Sequence, residues 1–379
     1  MSAPPNPKQL PIPFSKGRAG DNQGVLGGVL RVLFTVCLTL AVLFGGVGCS
    51  SGAADLERGQ AAYDRGNFAA ALALLKPLAE RGIAKAQVSL GVMYDLGQGV
   101  PQDDKTAVKW YVLAAEQGDA KAQFSLGVMA YFGQGVPQDY KAAVKWYGLA
   151  AEQGDAKAQY DLGLMYNNGQ GVPQDDKAAV KWYRLAAEQG YAKAKSNLGL
   201  MYAKGQGVPQ DHKAAVKWFG LAAEQGDATA QFNLGISHNT GQGVAQDYKA
   251  AVKWFGLAAE QRLAVAQSMI GLMYAKGRGV PQDYKAAVKW IRLAAEQGVA
   301  AAQYNLGLMY ERGQGVPKDH IYAHMWANLA SASGGENGAE NRDIVATKMT
   351  PAQIATAQRL ATECAEKIRK KQKGCESKY

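Results

Sequence analysis

The chain has 379 residues, of which 47% are hydrophobic and 20% charged, and this composition excludes a wholly disordered protein. Glycine is frequent, at 45 residues, but it shows no period of three, which excludes collagen. The formal net charge is +10, yet most of the excess lies near the two ends, and the nearly neutral body excludes a nucleic-acid surface along its whole length.

An export segment is predicted at the beginning of the chain. Residues 1–31 are polar with scattered basic side chains, and residues 32–47 form an uncharged apolar run. Sixteen helical residues rise about 24 Å, which is short for a bilayer core of about 30 Å, so a secretory signal fits this run better than a membrane span. We therefore assign residues 1–48 to an export signal with a polar N-terminal extension.

The apolar run ends in Gly-Val-Gly-Cys-Ser at residues 46–50, which resembles the end of a bacterial lipoprotein signal. The resemblance implies that Cys49 carries a lipid and that the absence of Asp after it favours the outer membrane. A lipoprotein of the outer or inner membrane that faces the periplasm is the first interpretation. A soluble periplasmic protein and an uncleaved single-pass anchor are the alternatives, and all three place the remaining chain outside the cytoplasm.

The body of the chain is a tandem repeat. Tryptophan recurs every 36 residues at seven positions, and similar units fill residues 84–331 after a degenerate copy at residues 55–82. We assign residues 53–334 to the repeats and residues 335–379 to a C-terminal capping helix with a basic tail. Because one unit cannot bury its apolar faces alone, neighbouring units are expected to stack.

Each unit predicts two helices joined by a loop. In the unit at residues 155–190, a first helix with Leu162 and Gly163 in its core leads into a Gly-Gln-Gly-Val-Pro-Gln loop, and Asp175 is placed to cap the second helix. The apolar face of the second helix is expected to include Trp182. Glycine inside a helix costs about 1 kcal/mol relative to alanine, so its recurrence at the Gly163 position predicts close contact between helices.

The repeated motifs carry a family resemblance. Leu-Gly-Leu-Met-Tyr at residues 162–166 matches the first-helix core of tetratricopeptide repeats, while the 36-residue period, the glycine-rich loop and the Leu-Ala-Ala-Glu-Gln-Gly ending resemble the Sel-one-like repeat subfamily. The resemblance implies an all-α protein, a right-handed α-solenoid of about eight helix-turn-helix repeats with a C-terminal capping helix. It also implies a non-catalytic scaffold that binds proteins or peptides and organises a complex of the bacterial cell envelope.

Candidate binding positions lie on the first helices, away from the stacking core. The resemblance places them on the concave wall of the solenoid, and unlike the core they vary from unit to unit. Aromatic residues in adjacent units predict one apolar patch, and basic residues further along predict a positive track, which together suit a peptide or an acidic segment of a partner. Neutral drift on a solvated face is the alternative interpretation. The patch is Phe124, Tyr131, Phe132 and Tyr160, the track is Lys204, Lys276 and Arg312, and the further candidates are Asn167, Phe232 and Tyr304.

Signatures of catalysis, cofactors and metals are missing from the sequence. Neither a nucleophile elbow nor a phosphate-loop motif occurs. His320 and His324 have the spacing of half a zinc site, but no Glu or Cys accompanies them, so a structural role is favoured. The sequence therefore predicts no enzyme, no cofactor, no metal and no nucleic-acid partner. The alternative function is a cell-wall or polysaccharide-processing factor, either glycan-binding or a hydrolase.

Two cysteines near the C-terminus are candidates for a disulfide. In an oxidising compartment Cys364 and Cys375 can pair, with two free thiols as the alternative. One continuous helix would hold them about 16 Å apart, so pairing requires that Gly374 let the tail fold back. The basic run at residues 367–373 suits anionic lipid, glycan or an acidic protein, but a solvated terminal helix is the simpler interpretation.

Overall fold

The computed structural model describes residues 52–372 and 374–376. These residues form eighteen helices and no strand. The described residues divide into two compact units between residues 90 and 91, and within the second unit consecutive helices pack against each other along the chain. The predicted all-α solenoid of 36-residue helix-turn-helix repeats is confirmed.

The helices alternate between a first and a second helix of each repeat, and two further helices follow the last repeat. In chain order they are α1 (52–64), α2 (Phe68–Glu80), α3 (Ala84–Leu96), α4 (Asp104–Glu116), α5 (Ala120–Phe132), α6 (Tyr140–Glu152), α7 (Ala156–Asn168), α8 (Asp176–Glu188), α9 (Ala192–Lys204), α10 (His212–Ala223), α11 (Ala228–Thr240), α12 (Tyr248–Glu260), α13 (Ala264–Lys276), α14 (Tyr284–Ala295), α15 (Ala300–Arg312), α16 (His320–Ala332), α17 (Gly338–Ala346) and α18 (Pro351–Arg369).

Aspartate side chains fix where many of the helices begin. Oδ1 of Asp155 accepts a hydrogen bond from the backbone N–H of Ala158 at 2.8 Å at the start of α7. Oδ1 of Asp175 accepts one from the N–H of Ala178 at 3.0 Å at the start of α8, as the sequence predicts. These bonds satisfy N–H groups that have no partner within the helix.

A buried ring explains the recurrent glycine inside the first helices. A Cβ atom at Gly163 would lie 2.8 Å from Cδ1 of Tyr183 on α8, and Tyr183 is only 1% exposed. Aromatic rings stand against the equivalent glycine in four other repeats. The predicted close contact between helices is therefore confirmed, since the ring occupies the space that any larger residue would need.

The second helix buries a different aromatic residue from the one that the sequence predicts. Tyr183 and Val180 belong to the buried face of α8, whereas Trp182 is partly exposed. Lys181 places its Nζ atom 5.3 Å from the centre of the Trp182 ring. Successive residues on a helix are 100° apart, so the space beside Gly163 can take only one of the two rings. The prediction that Trp182 lies in the apolar face is therefore confirmed only in part, because Trp182 is half-buried against the core cluster of α5, α6 and α7 while Tyr183 is the fully buried ring.

Buried glutamines connect consecutive repeats. Nε2 of Gln159 donates to the carbonyl oxygen of Ala151 at 3.1 Å, and Oε1 of Gln159 accepts from Nε2 of Gln189 at 2.8 Å. Both polar ends of this buried amide are thus satisfied, which is the usual condition for burying one. The bond to Ala151 crosses to the preceding repeat, whereas the amide pair lies within one repeat, as it does for Gln123 with Gln153, Gln231 with Gln261, and Gln267 with Gln297.

The C-terminal region contains two helices where the sequence predicts one capping helix. Both α17 and α18 pack against α16, and they bury Trp326 and Leu329. Thr350 begins α18 with a capping box, in which its side chain accepts from the N–H of Gln353 and Gln353 accepts from the N–H of Thr350. The last repeat is therefore covered on a surface that earlier repeats leave partly exposed.

Candidate functional site

The last residue of the first helix in each of the seven strict repeats contributes to a surface that we call the end row. All seven side chains of the end row are exposed, and Phe132, at 63%, and Leu96, at 58%, are the most exposed large apolar side chains among the described residues. The row changes from apolar to basic along the chain. Its members are Leu96, Phe132, Asn168, Lys204, Thr240, Lys276 and Arg312.

Two rings of the predicted aromatic patch touch each other at the apolar end of this row. The ring centres of Tyr131 and Phe132 are 4.9 Å apart, in an edge-to-face arrangement. Tyr131 also lies 5.2 Å from the ring of Tyr140, and its hydroxyl donates a hydrogen bond to Oε1 of Gln170 at 3.4 Å. Tyr131 is thus held from several sides while Phe132 projects into solvent.

The other aromatic candidates pack inside their own repeats. Phe124 contacts the ring of Tyr147 at 5.7 Å, and Tyr160 contacts the ring of Tyr183 at 5.8 Å. Phe232 contacts Phe255 at 5.7 Å in the same way. Of the four rings expected to form one patch, the ring contacts of the described chain join only Tyr131 and Phe132. Phe124 and Tyr160 are half-buried because they cover the ring that stands against the recurrent glycine.

Two further candidates are half-buried on the first helices. Nδ2 of Asn167 donates to Oδ1 of Asp176 at 2.9 Å, which ties the end of α7 to the start of α8. Tyr304 occupies the α15 position that corresponds to Phe124 and Tyr160. Neither side chain is free in the way that Phe132 is.

A carboxyl group that was not among the predicted site residues lies beside Tyr160. Burial raises the pKa of Asp161 to about 6, and the nearby Lys193 opposes this rise only in part. Shifted pKa values of this kind are frequent at functional sites. The sequence does contain a signal for it, since among the first helices of the strict repeats this position holds a carboxylate only in α7.

The basic end of the row is open to solvent and borders a small cavity. Lys204, Lys276 and Arg312 are exposed. Arg312, together with Leu272 and other side chains of α13 and α15, lines a cavity of about 200 Å³. Leu272 was not among the sequence candidates, because an apolar residue on a first helix is indistinguishable from core in the sequence.

The histidines considered as half a zinc site lie in the last repeat. His324 is 2% exposed, and burial lowers its pKa. In the described part of the chain, no group of three or more His, Cys, Asp or Glu side chains is arranged to hold a metal ion.

A disulfide joins Cys364 to Cys375, with their Cα atoms 4.8 Å apart. Gly374 has a φ of 85°, a conformation that lets the tail turn back toward α18, as pairing of these cysteines requires. The predicted export segment, with Cys49 as lipid attachment site, lies outside the described residues. Within residues 52–372 and 374–376, no helix is both long and apolar enough to cross a membrane.

Comparison with known proteins identifies the repeat. The model of the Sel1 repeat family matches seven consecutive segments, which are residues 84–119, 120–155, 156–191, 192–227, 228–263, 264–299 and 300–335. The solved structure of a Sel1 repeat protein from Oxalobacter formigenes is 33% identical, with 87% of this chain and 96% of that chain covered and a TM-score of 0.61. A protective antigen with an SLR fold, present in uropathogenic Escherichia coli strains, is 31% identical, with 88% of this chain and 89% of that chain covered and a TM-score of 0.49. No curated protein matches this chain.

The matched segments cover more than half of the chain, and their boundaries follow the helix pairs of the structure. Sel1 repeat solenoids are generally scaffolds for protein–protein interaction and are typically non-catalytic. The two similar structures do not indicate a more specific function. The chain belongs to the Sel1 repeat family.

Proposed function

We propose that this protein is a non-catalytic scaffold of the bacterial cell envelope that binds a protein or peptide partner through the end row of its first helices. The observation that carries the proposal is the exposure of Phe132, at 63%, in a repeat whose other large apolar residues are mostly buried or half-buried. Leu96, at 58%, is exposed at the equivalent position of the preceding repeat, and contiguous exposed apolar area is typical of an interaction surface.

The end row suits a partner with both an apolar and an acidic part. Leu96 and Phe132 offer apolar area at equivalent positions of consecutive repeats, and burying such side chains supplies most of the affinity of an interface. Lys204, Lys276 and Arg312 lie further along the same row, where positive charge would favour acidic residues and speed association.

The envelope location rests on the export segment and on the disulfide. In this proposal residues 1–48 direct export, Cys49 carries the lipid, and the repeats face the periplasm. A Cys364–Cys375 disulfide persists in such an oxidising compartment and not in the cytosol. Replacing Cys49 with Ser should release the protein from the membrane fraction, and unchanged membrane association would contradict lipid anchoring.

Affinity capture from detergent-solubilised envelopes tests the binding role. The bait is the full chain, compared with a Leu96→Ala, Phe132→Ala variant. A matched control is Leu113→Ala, Leu149→Ala, which removes leucines that are 44% and 37% exposed from the second helices. A partner retained by the wild type and by the control, but lost with the end-row variant, supports the proposal. Equal retention by all three baits would contradict it, and capture of glycan instead of protein would favour the alternative function.

A further inference from the structure

The C-terminal tail contacts the last repeats through the carboxylate of Glu376 and the main chain of Cys375. Oε2 of Glu376 lies 2.8 Å from Nη2 of Arg292, and Oε1 accepts a hydrogen bond from Nε1 of Trp326 at 3.1 Å. The preceding residue, Cys375, donates its backbone N–H to Oε1 of Glu296 at 3.3 Å. The last repeats therefore hold both a glutamate side chain and the main chain of the tail.

The same set of residues occurs a second time, three repeats earlier. Nη2 of Arg184 donates to the hydroxyl of Tyr202 at 2.9 Å, just as Nη2 of Arg292 donates to the hydroxyl of Tyr310 at 3.0 Å. The arginine distinguishes these two repeats, since the other strict repeats have Val112, Gly148, Gly220, Gly256 or Asn328 at its position. The tail-bound set is Arg292, Glu296, Tyr310 and Trp326, and the open set is Arg184, Glu188, Tyr202 and Trp218.

The two sets differ in what covers them. In the tail-bound set, Trp326 is 0% and Tyr310 6% exposed, because α18 and the tail lie over them. In the open set, Tyr202 and Trp218 are partly exposed and Glu188 is exposed. Arg184 forms no ion pair with any residue that the structure describes.

We propose that the open set is a peptide-binding site for a partner segment in which a small apolar residue is followed by glutamate. By analogy with the tail, the glutamate carboxylate would bind Arg184 and the indole N–H of Trp218, and the preceding backbone N–H would bind Glu188. The site goes beyond the proposed function, because none of its residues belongs to the end row.

The chemistry of the open set favours a peptide over a free anion. Hydrogen bonds between a guanidinium group and a carboxylate are charge-assisted and stronger than neutral ones. Glu188 would repel a free anion, but its carboxylate can accept a main-chain N–H, as Glu296 does from Cys375. Lys181 on α8 and Lys217 on α10 are exposed and add positive charge that favours an acidic segment.

Titration of the full chain, labelled with 15N at the indole nitrogens of its seven tryptophans, tests the site. The probe is a peptide with the sequence of residues 372–376, capped at both ends, with alanine in place of Cys375. We expect the Trp218 indole signal to shift with saturation while the Trp326 signal stays, because Glu376 already occupies that set. A peptide with glutamine in place of glutamate is the control and should bind at least about tenfold more weakly.

Two variants test whether the arginine is what makes the site. Arg184→Gln should weaken the peptide-induced shift of Trp218 at least about tenfold. Gly148→Arg should create a third set with Glu152, Tyr166 and Trp182, since a side chain at Gly148 meets nothing within 4 Å, and Trp182 should then also shift.

The proposal is overturned if the glutamate peptide does not shift the Trp218 signal, or if the glutamine peptide or acetate, as a free anion, shifts that signal equally. It is also overturned if Arg184→Gln leaves the shift of Trp218 unchanged, or if the peptide does not shift Trp182 in Gly148→Arg. Equal retention of the partner by all baits would contradict the end-row proposal but leave these results unaffected, so the two proposals fail separately.

Discussion

Within each helix pair, two regular positions tolerate sequence change very differently. One is the junction, where the glycine of the first helix meets a buried side chain of the second helix, and the other is the end row. At the junction, Gly163 faces a ring that is 1% exposed, and the same glycine recurs in every strict repeat. In the end row, an equally regular position holds Leu, Phe, Asn, Lys, Thr and Arg side chains, all exposed. Packing dictates the residue at the junction, whereas the residues of the end row can change without loss of the fold and can therefore determine specificity.

Removing the junction ring should have the largest effect on stability. Tyr183→Ala is expected to lower the free energy of unfolding by about 3–5 kcal/mol, because a fully buried aromatic ring leaves a cavity. Trp182→Ala removes a larger but partly exposed ring, and about 1–2 kcal/mol is expected. Urea unfolding of both variants measures the two losses in stability. A loss for Trp182→Ala that equals or exceeds the loss for Tyr183→Ala would mean that Tyr183 is not the ring that fills the junction.

Asp161 should make stability depend on pH. Its folded-state pKa of about 6 exceeds the ordinary 3.8, so the folded protein binds the proton more tightly, and stability falls as the pH rises from about 4 through 6. Asp161→Asn is therefore expected to stabilise the protein by up to about 3 kcal/mol at pH 7. The gain should disappear below about pH 4. Thermal unfolding across this range checks it, and a gain that does not vary with pH would contradict the shifted pKa.

Two glycines inside helices offer a matched pair of substitutions. Gly163→Ala should destabilise the protein by about 1–2 kcal/mol, because overpacking against Tyr183 outweighs the better helix propensity of alanine. Gly148→Ala, where a Cβ atom meets nothing within 4 Å, should instead stabilise it by about 1 kcal/mol. Chemical unfolding measures both changes. The same sign for both would show that steric contact is not the reason for the recurrent glycine.

The smallest predicted effect concerns the turn after a second helix. Arg262 stands where other strict repeats have glycine, yet it adopts a φ of 66° and keeps the turn. Arg262→Gly should stabilise the protein by about 1 kcal/mol, because the left-handed conformation is unfavourable for residues with a Cβ atom. Gly226→Ala, at the same position of the preceding repeat, should destabilise by a similar amount. A loss of stability on Arg262→Gly would show that the arginine side chain makes a contact of its own.

The repeats could be predicted from the sequence because their signals are local and repeated. The caps at Asp155 and Asp175 and the glycine at 163 each follow from a residue type at a fixed place, and repetition separates such positions from chance. The choice between Trp182 and Tyr183 could not be predicted, since both are aromatic neighbours on one helix and only the width of the gap beside Gly163 decides between them.

The candidate site could be predicted only in part. Exposure at Phe132 follows from its place at the end of a first helix. The burial of Phe124 and Tyr160 depends on contacts with rings of the second helix, about twenty residues further along, and this distance hides the contact from the sequence pattern. The pairing of Glu376 with Arg292 was hidden for the same reason, because it joins residues far apart in the chain.

The central claim is that the end row binds and does not support the fold. Its most direct test is to measure partner retention and melting temperature on the same preparation of Phe132→Ala. We expect retention to be lost while the melting temperature stays at the wild-type value, since the ring is 63% exposed. A melting temperature that falls together with retention would contradict the claim and assign Phe132 to the packing of the repeat.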